Sequence, residues 1–163
     1  MSASYIVIEF TDPDKLIPAV EQLEACEAVE SWDAVEGHAN LVLRLACAAN
    51  DLPDAVRKLD GLKQVTAFEI VEGEDLPATP ELLPIRAYLF IDTEPEQKEA
   101  VRTAILALPE TLSCIRVKGE CDLVVLVKGE TLSLLKDAVS RKIRPLDGVL
   151  RLKSHYAFNI KQL

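Results

Sequence analysis

The chain has 163 residues, of which 49% are hydrophobic and 28% charged, and its formal net charge is −9. This composition is typical of a globular protein and excludes a disordered chain. Because no apolar run approaches the ~20 residues of a membrane span and no signal peptide opens the chain, we expect a cytoplasmic protein with no membrane partner. The acidic balance argues against a duplex-DNA surface, since phosphate affinity comes mainly from clustered lysines and arginines.

An internal repeat divides the chain into two halves. Three segments recur in the same order, and the matched pairs are 5–10 with 88–93, 35–43 with 117–125, and 59–62 with 146–149. The repeat predicts two domains, 1–71 and 85–163. Between them lies 72–84, an acidic segment with three prolines, which is typical of a linker.

The first half has the pattern strand, helix, strand, strand, helix, strand. The segment 5–10 is rich in β-forming residues and ends at a turn that can cap a helix with Leu16, Val20 and Leu23 on one face. The later predicted elements are a hairpin turn at 37–40, a strand over 41–45 and a helix over about 52–59.

The second half repeats this order. Pro95 lies near the start of a predicted helix in which Val101, Ile105 and Leu108 recur at helical spacing. A hairpin turn at 119–122 leads into a strand over 123–127, and a longer second helix follows over about 131–144.

The repeated βαββαβ order predicts an α+β fold of two tandem ferredoxin-like units. The helices cover one face of each sheet. Apolar residues at both alternate positions of the central strands indicate that the other face is also buried. We therefore expect an intramolecular pseudo-dimer, with the sheets packed face to face or joined edge to edge.

The second half contains a Gly119-x-x-Asp122 turn, and Gly148-Val149 precedes its last strand. Over roughly 86–160 this combination resembles the effector-binding domain of the Lrp/AsnC family of amino-acid-responsive regulators. The first half is similar over 5–71 but has Asn40 where the family's turn has an acid.

The resemblance implies an amino-acid effector site around Gly119, Glu120, Cys121, Asp122 and Ser154. A glycine lets ligand atoms approach backbone N–H groups, a carboxylate can receive an ammonium group, and a hydroxyl can donate to a carboxylate. The alternative is a purely structural role, in which the glycine suits the hairpin and the aspartate bonds the turn backbone.

The resemblance also implies a role in transcription regulation, with a second copy or a related regulator as partner. Family regulators carry a helix-turn-helix domain before this module. Because the first predicted strand begins near Tyr5, we expect no such domain and no direct DNA binding.

A second hypothesis is a small α+β barrel enzyme with its site between the halves, related to haem or tetrapyrrole chemistry as in the sirohaem decarboxylases that the family includes. His38 and His155 could then ligate iron if the pseudo-dimer brought them together. Against this, the sequence shows no nucleophile–base pair, and its four cysteines have no metal-ligand spacing. We therefore expect no catalytic residue, metal or cofactor. A third hypothesis is an adaptor subunit without a ligand.

Overall fold

The computed structural model of this chain describes residues 2–35, 41–71 and 85–158. The predicted linker 72–84 lies outside these residues, and so does the first hairpin turn at 37–40 with His38 and Asn40. No helix within the described ranges is long and apolar enough to cross a membrane.

The first half follows the predicted order. Its elements are β1 (Ser4–Phe10), α1 (Leu16–Glu24), β2 (Val29–Val35), β3 (Leu41–Leu45), α2 (Asp54–Arg57) and β4 (Leu62–Ile70). The helix α2 is shorter than the predicted 52–59. Pro53 is its N-cap in an extended conformation, and the backbone leaves helical geometry at Lys58; the helix is thus confined to about one turn.

The second half repeats the order with longer elements. They are β5 (Ile85–Thr93), α3 (Lys98–Leu106), β6 (Thr111–Lys118), β7 (Leu123–Gly129), α4 (Leu132–Ala138) and β8 (Val149–Phe158). The hydroxyl of Thr131 caps α4 by accepting from the Leu134 backbone N–H at 3.1 Å, and the helix continues through a π-helical turn, Val139–Ile143. The two predicted ferredoxin-like units are therefore confirmed.

The eight strands of the described ranges close into one antiparallel barrel, in the order β1-β3-β2-β8-β5-β7-β6-β4. The halves meet edge to edge along two short seams. In one seam β2 pairs with β8 through Val35 and Ala157, and in the other β4 pairs with β6 through Ile70 and Val117. This closure confirms the intramolecular pseudo-dimer, and each of these eight strands has a neighbour on both sides.

The core has three parts because the central strands are apolar on both faces. Leu41 and Leu43 face the helices of the first half, and Leu123 and Val125 face those of the second. The alternate residues, such as Val42 and Val124, fill the barrel interior, which both halves share.

Candidate functional site

A cavity of about 590 Å³ lies between the two halves, at one end of the barrel. Strands β1 and β4 of the first half form one wall, and β5, β8 and the β6–β7 turn form the other. The first half contributes Val7, Glu9, Gln64, Thr66 and Phe68. The second half contributes Phe90, Asp92, Glu120, Cys121, Arg151, Leu152, Lys153 and His155.

Strand alternation explains why the second wall carries polar groups. On β5 and β8 the register places Phe90 opposite Lys153 and Asp92 opposite Arg151. Their chain neighbours, such as Leu89, turn to the helix-covered side. A period of two thus separates a mixed polar and aromatic inner face from an apolar outer face.

Aromatic rings form the deep part of the cavity. The ring centroids of Phe68 and Phe90 lie 4.9 Å apart, which joins the two halves. His155 packs edge-on against Phe90 with 5.4 Å between ring centroids. All three residues are buried, so a ligand would meet a largely aromatic floor.

Charged groups surround the cavity at its open side. Arg151 donates to the Asp92 carboxylate through Nε at 2.9 Å, and Lys63 pairs with Glu9 at 3.2 Å. In the part of the chain that the structure describes, Lys153 and Glu120 carry no ion pair. One amine and one carboxylate are therefore available to a ligand.

Two of the predicted site residues, Glu120 and Cys121, line this cavity. Burial, with smaller contributions from Asp92 and Asp122, raises the pKa of the Cys121 thiol to about 12. The thiol donates to the Leu123 carbonyl at 3.5 Å. Cys121 is thus an uncharged wall residue, not a thiolate.

Two other predicted residues have structural partners. The Asp122 carboxylate accepts from the Thr93 backbone N–H at 2.9 Å and from the Thr93 hydroxyl at 3.3 Å. Gly119 has φ +139°, and a Cβ there would lie 2.9 Å from the Ala67 carbonyl oxygen of β4. The Gly119 contact fits the structural alternative for the turn, whereas Asp122 bonds the end of β5 and not the turn backbone. Effector binding by the two residues stays a prediction.

Ser154 lies on the opposite face of β8 from the cavity. It stands opposite Leu89 in the register, and Leu89 belongs to the helix-covered core. The structure therefore does not bring Ser154 together with Glu120 and Cys121. Its effector role also stays a prediction.

Sequence reasoning missed most of the cavity wall. Glu9, Lys153 and Phe68 come to line one cavity only when the barrel closes. The alternation in β1 could have indicated part of this wall, because Tyr5, Val7 and Glu9 share one face of that strand. The sequence identifies His155 as a candidate iron ligand, and the structure places it in the cavity wall.

A second polar cluster lies in the barrel interior. An Asp33 carboxylate oxygen lies 2.5 Å from a guanidinium nitrogen of Arg86, and the Tyr88 hydroxyl donates to the other carboxylate oxygen. Burial raises the pKa values of Asp33 and Tyr88. These groups satisfy one another, so the cluster joins the halves and offers no open position to a ligand.

No metal site is found among residues 2–35, 41–71 and 85–158. These ranges contain no cluster of three or more His, Cys, Asp or Glu side chains that could hold a metal ion.

The Lrp/AsnC ligand-binding domain family matches residues 86–162. The chain belongs to this family. The match covers most of the second half, including the Gly119-x-x-Asp122 turn. A search of curated proteins found no match.

Solved structures resemble this Lrp/AsnC chain either over about half of its length or over nearly all of it. TTHA0845 from Thermus thermophilus is 33% identical over 46% of this chain and 94% of its own, with a TM-score of 0.44. The transcriptional regulator NMB0573 from Neisseria meningitidis, solved with L-Met, is 19% identical over 55% of this chain and 61% of its own, with a TM-score of 0.46. The siroheme decarboxylase NirDL is 14% identical over 96% of this chain and 71% of its own, with a TM-score of 0.72. The last comparison shows that the two-unit fold of the whole chain is shared with NirDL.

Proposed function

We propose that this chain is an effector-binding module that takes a small amino-acid-like molecule into the cavity between its halves. The observation that carries the proposal is the cavity itself, which combines an aromatic floor with a free amine and a free carboxylate. Its 590 Å³ volume falls within the usual range for small-molecule sites, roughly 300–1,000 Å³. The family match over residues 86–162 supports a ligand-binding role.

The chemistry of the wall suits a zwitterion. The amine of Lys153 can pair with a carboxylate, and the carboxylate of Glu120 can receive an ammonium group. An apolar side chain of the ligand would pack against Phe68 and Phe90. Gln64 and Thr66 add neutral hydrogen-bonding groups on the opposite wall.

We further propose that ligand binding acts through assembly rather than through catalysis by this chain. A module of this kind transmits a signal by changing how it associates with a second copy or with a related regulator of transcription. The cavity spans both halves, so an occupant would stiffen their docking and alter the outer surface that a partner meets.

Thermal melting against the twenty amino acids tests this function directly. A ligand at 100 times its Kd should add about 2.7 kcal/mol to the unfolding free energy. For any amino acid that raises Tm, Lys153→Met and Glu120→Gln should each weaken binding about tenfold or more, as expected for losing a charged hydrogen bond. Lys58→Met, which changes a lysine with a 76% exposed side chain beside α2, is the matched control. Melting points that no amino acid changes, or affinities that Lys153→Met leaves unchanged, would contradict the proposal.

A second candidate is tetrapyrrole binding, which His155 favours. NirDL shares the fold and was also solved with an iron-uroporphyrin III analogue. In this chain the imidazole of His155 could ligate a tetrapyrrole iron, and Phe68 and Phe90 could pack against the macrocycle. The protonated Cys121 thiol is a poor iron ligand. Titration with haem, followed by its visible spectrum, should give a shifted absorption band that His155→Ala removes; an unshifted spectrum would reject this candidate.

A further inference from the structure

Two cysteines of the first half lie in neighbouring chain segments beside the end of α1. Val29 of β2 is the register partner of Leu45 of β3, and the Ala46 backbone N–H donates to the Ala28 carbonyl at 2.8 Å. This pairing aligns the turn that contains Cys26 with the segment that contains Cys47.

Both cysteines lie next to the same apolar cluster, Cys47 through its side chain and Cys26 through its backbone. Cys47 lies two residues beyond the end of β3 and packs against the helix-covered core that includes Leu45. Cys26 follows Leu23 by three residues, and its backbone N–H donates to the Leu23 carbonyl at 3.0 Å. Cys26 therefore lies just beyond the end of α1, tied to Leu23, which belongs to that same core.

The accessibility of the two thiols separates them from the other cysteines. Cys26 and Cys47 are half-buried, whereas Cys114 and Cys121 are buried. Burial raises the pKa of Cys47, and the charges of Asp51 and Cys26 raise it further. The influence of Cys26 on the Cys47 pKa agrees with the alignment of their segments.

We propose that Cys26 and Cys47 form a reversible intramolecular disulfide by exchange with a low-molecular-weight disulfide such as oxidised glutathione. The Cys26 thiolate attacks one glutathione sulfur, which breaks the glutathione S–S bond and releases one glutathione thiolate. The Cys47 thiolate then attacks the Cys26 sulfur and releases the second glutathione. The two cysteines lose two electrons and two protons, and two glutathione thiols carry them away.

The disulfide would tie the end of α1 to the end of β3. The Ser4 hydroxyl of β1 already donates to the Cys47 carbonyl at 2.9 Å, so the cross-link would join three elements of the first half. Closing the loop between Cys26 and Cys47 restricts the unfolded chain, and we expect the oxidised protein to melt several degrees higher than the reduced protein.

The test uses the full chain, first reduced and then treated with oxidised glutathione. The four thiols should fall to two in a denaturing thiol assay, and the intact mass should fall by two hydrogen atoms without a glutathione adduct. Peptide mapping should join Cys26 to Cys47, and excess reduced glutathione should restore all the thiols. Retention of four thiols, a lasting glutathione adduct, cross-linked dimers or a different cysteine pair would each overturn the proposal.

Single variants provide the controls. Cys26→Ser and Cys47→Ser should each abolish the intramolecular disulfide and the rise in Tm, whereas Cys114→Ser should retain both. An oxidation-dependent rise in Tm that survives Cys26→Ser would contradict the assignment. If a variant folds poorly, the peptide map of the unmodified chain still decides the question.

Discussion

Asp33 of β2 and Arg86 of β5 form an ion pair that connects the two halves inside the barrel, with 2.5 Å between Oδ1 and the guanidinium nitrogen. Only 7% of the Asp33 side chain and 10% of the Arg86 side chain are exposed. Tyr88 donates to the second oxygen of the same carboxylate. Because the first half supplies the acid and the second half its partners, this cluster forms only when the halves dock in one register.

Asp33→Ala should lower the unfolding free energy by about 3–5 kcal/mol, because it leaves the Arg86 guanidinium buried without a counter-charge. Urea denaturation of the full chain measures the loss. The control is Asp54→Ala, which removes exposed ion pairs on α2 and should cost less than about 1 kcal/mol. Equal losses for the two variants would show that Asp33 does not stabilise the docking of the halves.

The pH dependence of stability should also carry a contribution from Asp33. Burial raises its pKa above the usual 3.8, although Tyr88 and Arg86 act in the opposite direction. The folded state therefore retains a proton that the unfolded chain releases, so the unfolding free energy should fall as pH rises from 3.8 through the raised value. Urea denaturation of Asp33→Asn at several pH values should lack this part of the decline. Identical pH profiles for the unmodified chain and for Asp33→Asn would contradict the prediction.

The repeated βαββαβ order could be predicted because each strand and helix has its own local pattern of apolar residues. The strand segment 5–10 and the helical spacing of Val101 and Ile105 are examples. The sequence did not predict how the barrel closes. The seam between Val35 and Ala157 joins residues from distant parts of the chain, and no local period reports such a pairing. For the same reason the sequence did not predict the cavity wall, which combines Glu9 of the first half with Lys153 of the second.

Asp122→Ala should lower the unfolding free energy by about 1–3 kcal/mol, because the buried Thr93 N–H loses its acceptor. Ser154→Ala, which changes the other polar residue of the family-based site, is the comparison and should cost less. Both variants are examined by urea denaturation and by ligand titration. If Asp122→Ala instead weakens ligand binding at unchanged stability, the effector role implied by the family resemblance is correct.

Gly119→Ala should destabilise the junction between β4 and the β6–β7 turn. The backbone has φ +139°, and the added Cβ would lie 2.9 Å from the Ala67 carbonyl oxygen. Strain of this kind costs about 1–3 kcal/mol. The neighbouring Glu120→Ala adds no atom to this contact and is the control in thermal melting. A Tm for Gly119→Ala equal to that of Glu120→Ala would show that the turn accommodates a side chain.

Cys121 should resist alkylation although it lines the cavity. Its pKa of about 12 leaves about one molecule in ten thousand as thiolate at pH 8, and the thiolate is the reactive form. After brief treatment of the reduced, folded chain with iodoacetamide, peptide mass spectrometry should find Cys26 labelled and Cys121 unlabelled. Labelling of all the cysteines in denaturant is the control for detection. Rapid labelling of Cys121 in the folded chain would mean that its sulfur is an exposed thiolate, and the cavity wall would then carry a nucleophile or metal ligand instead of an apolar group.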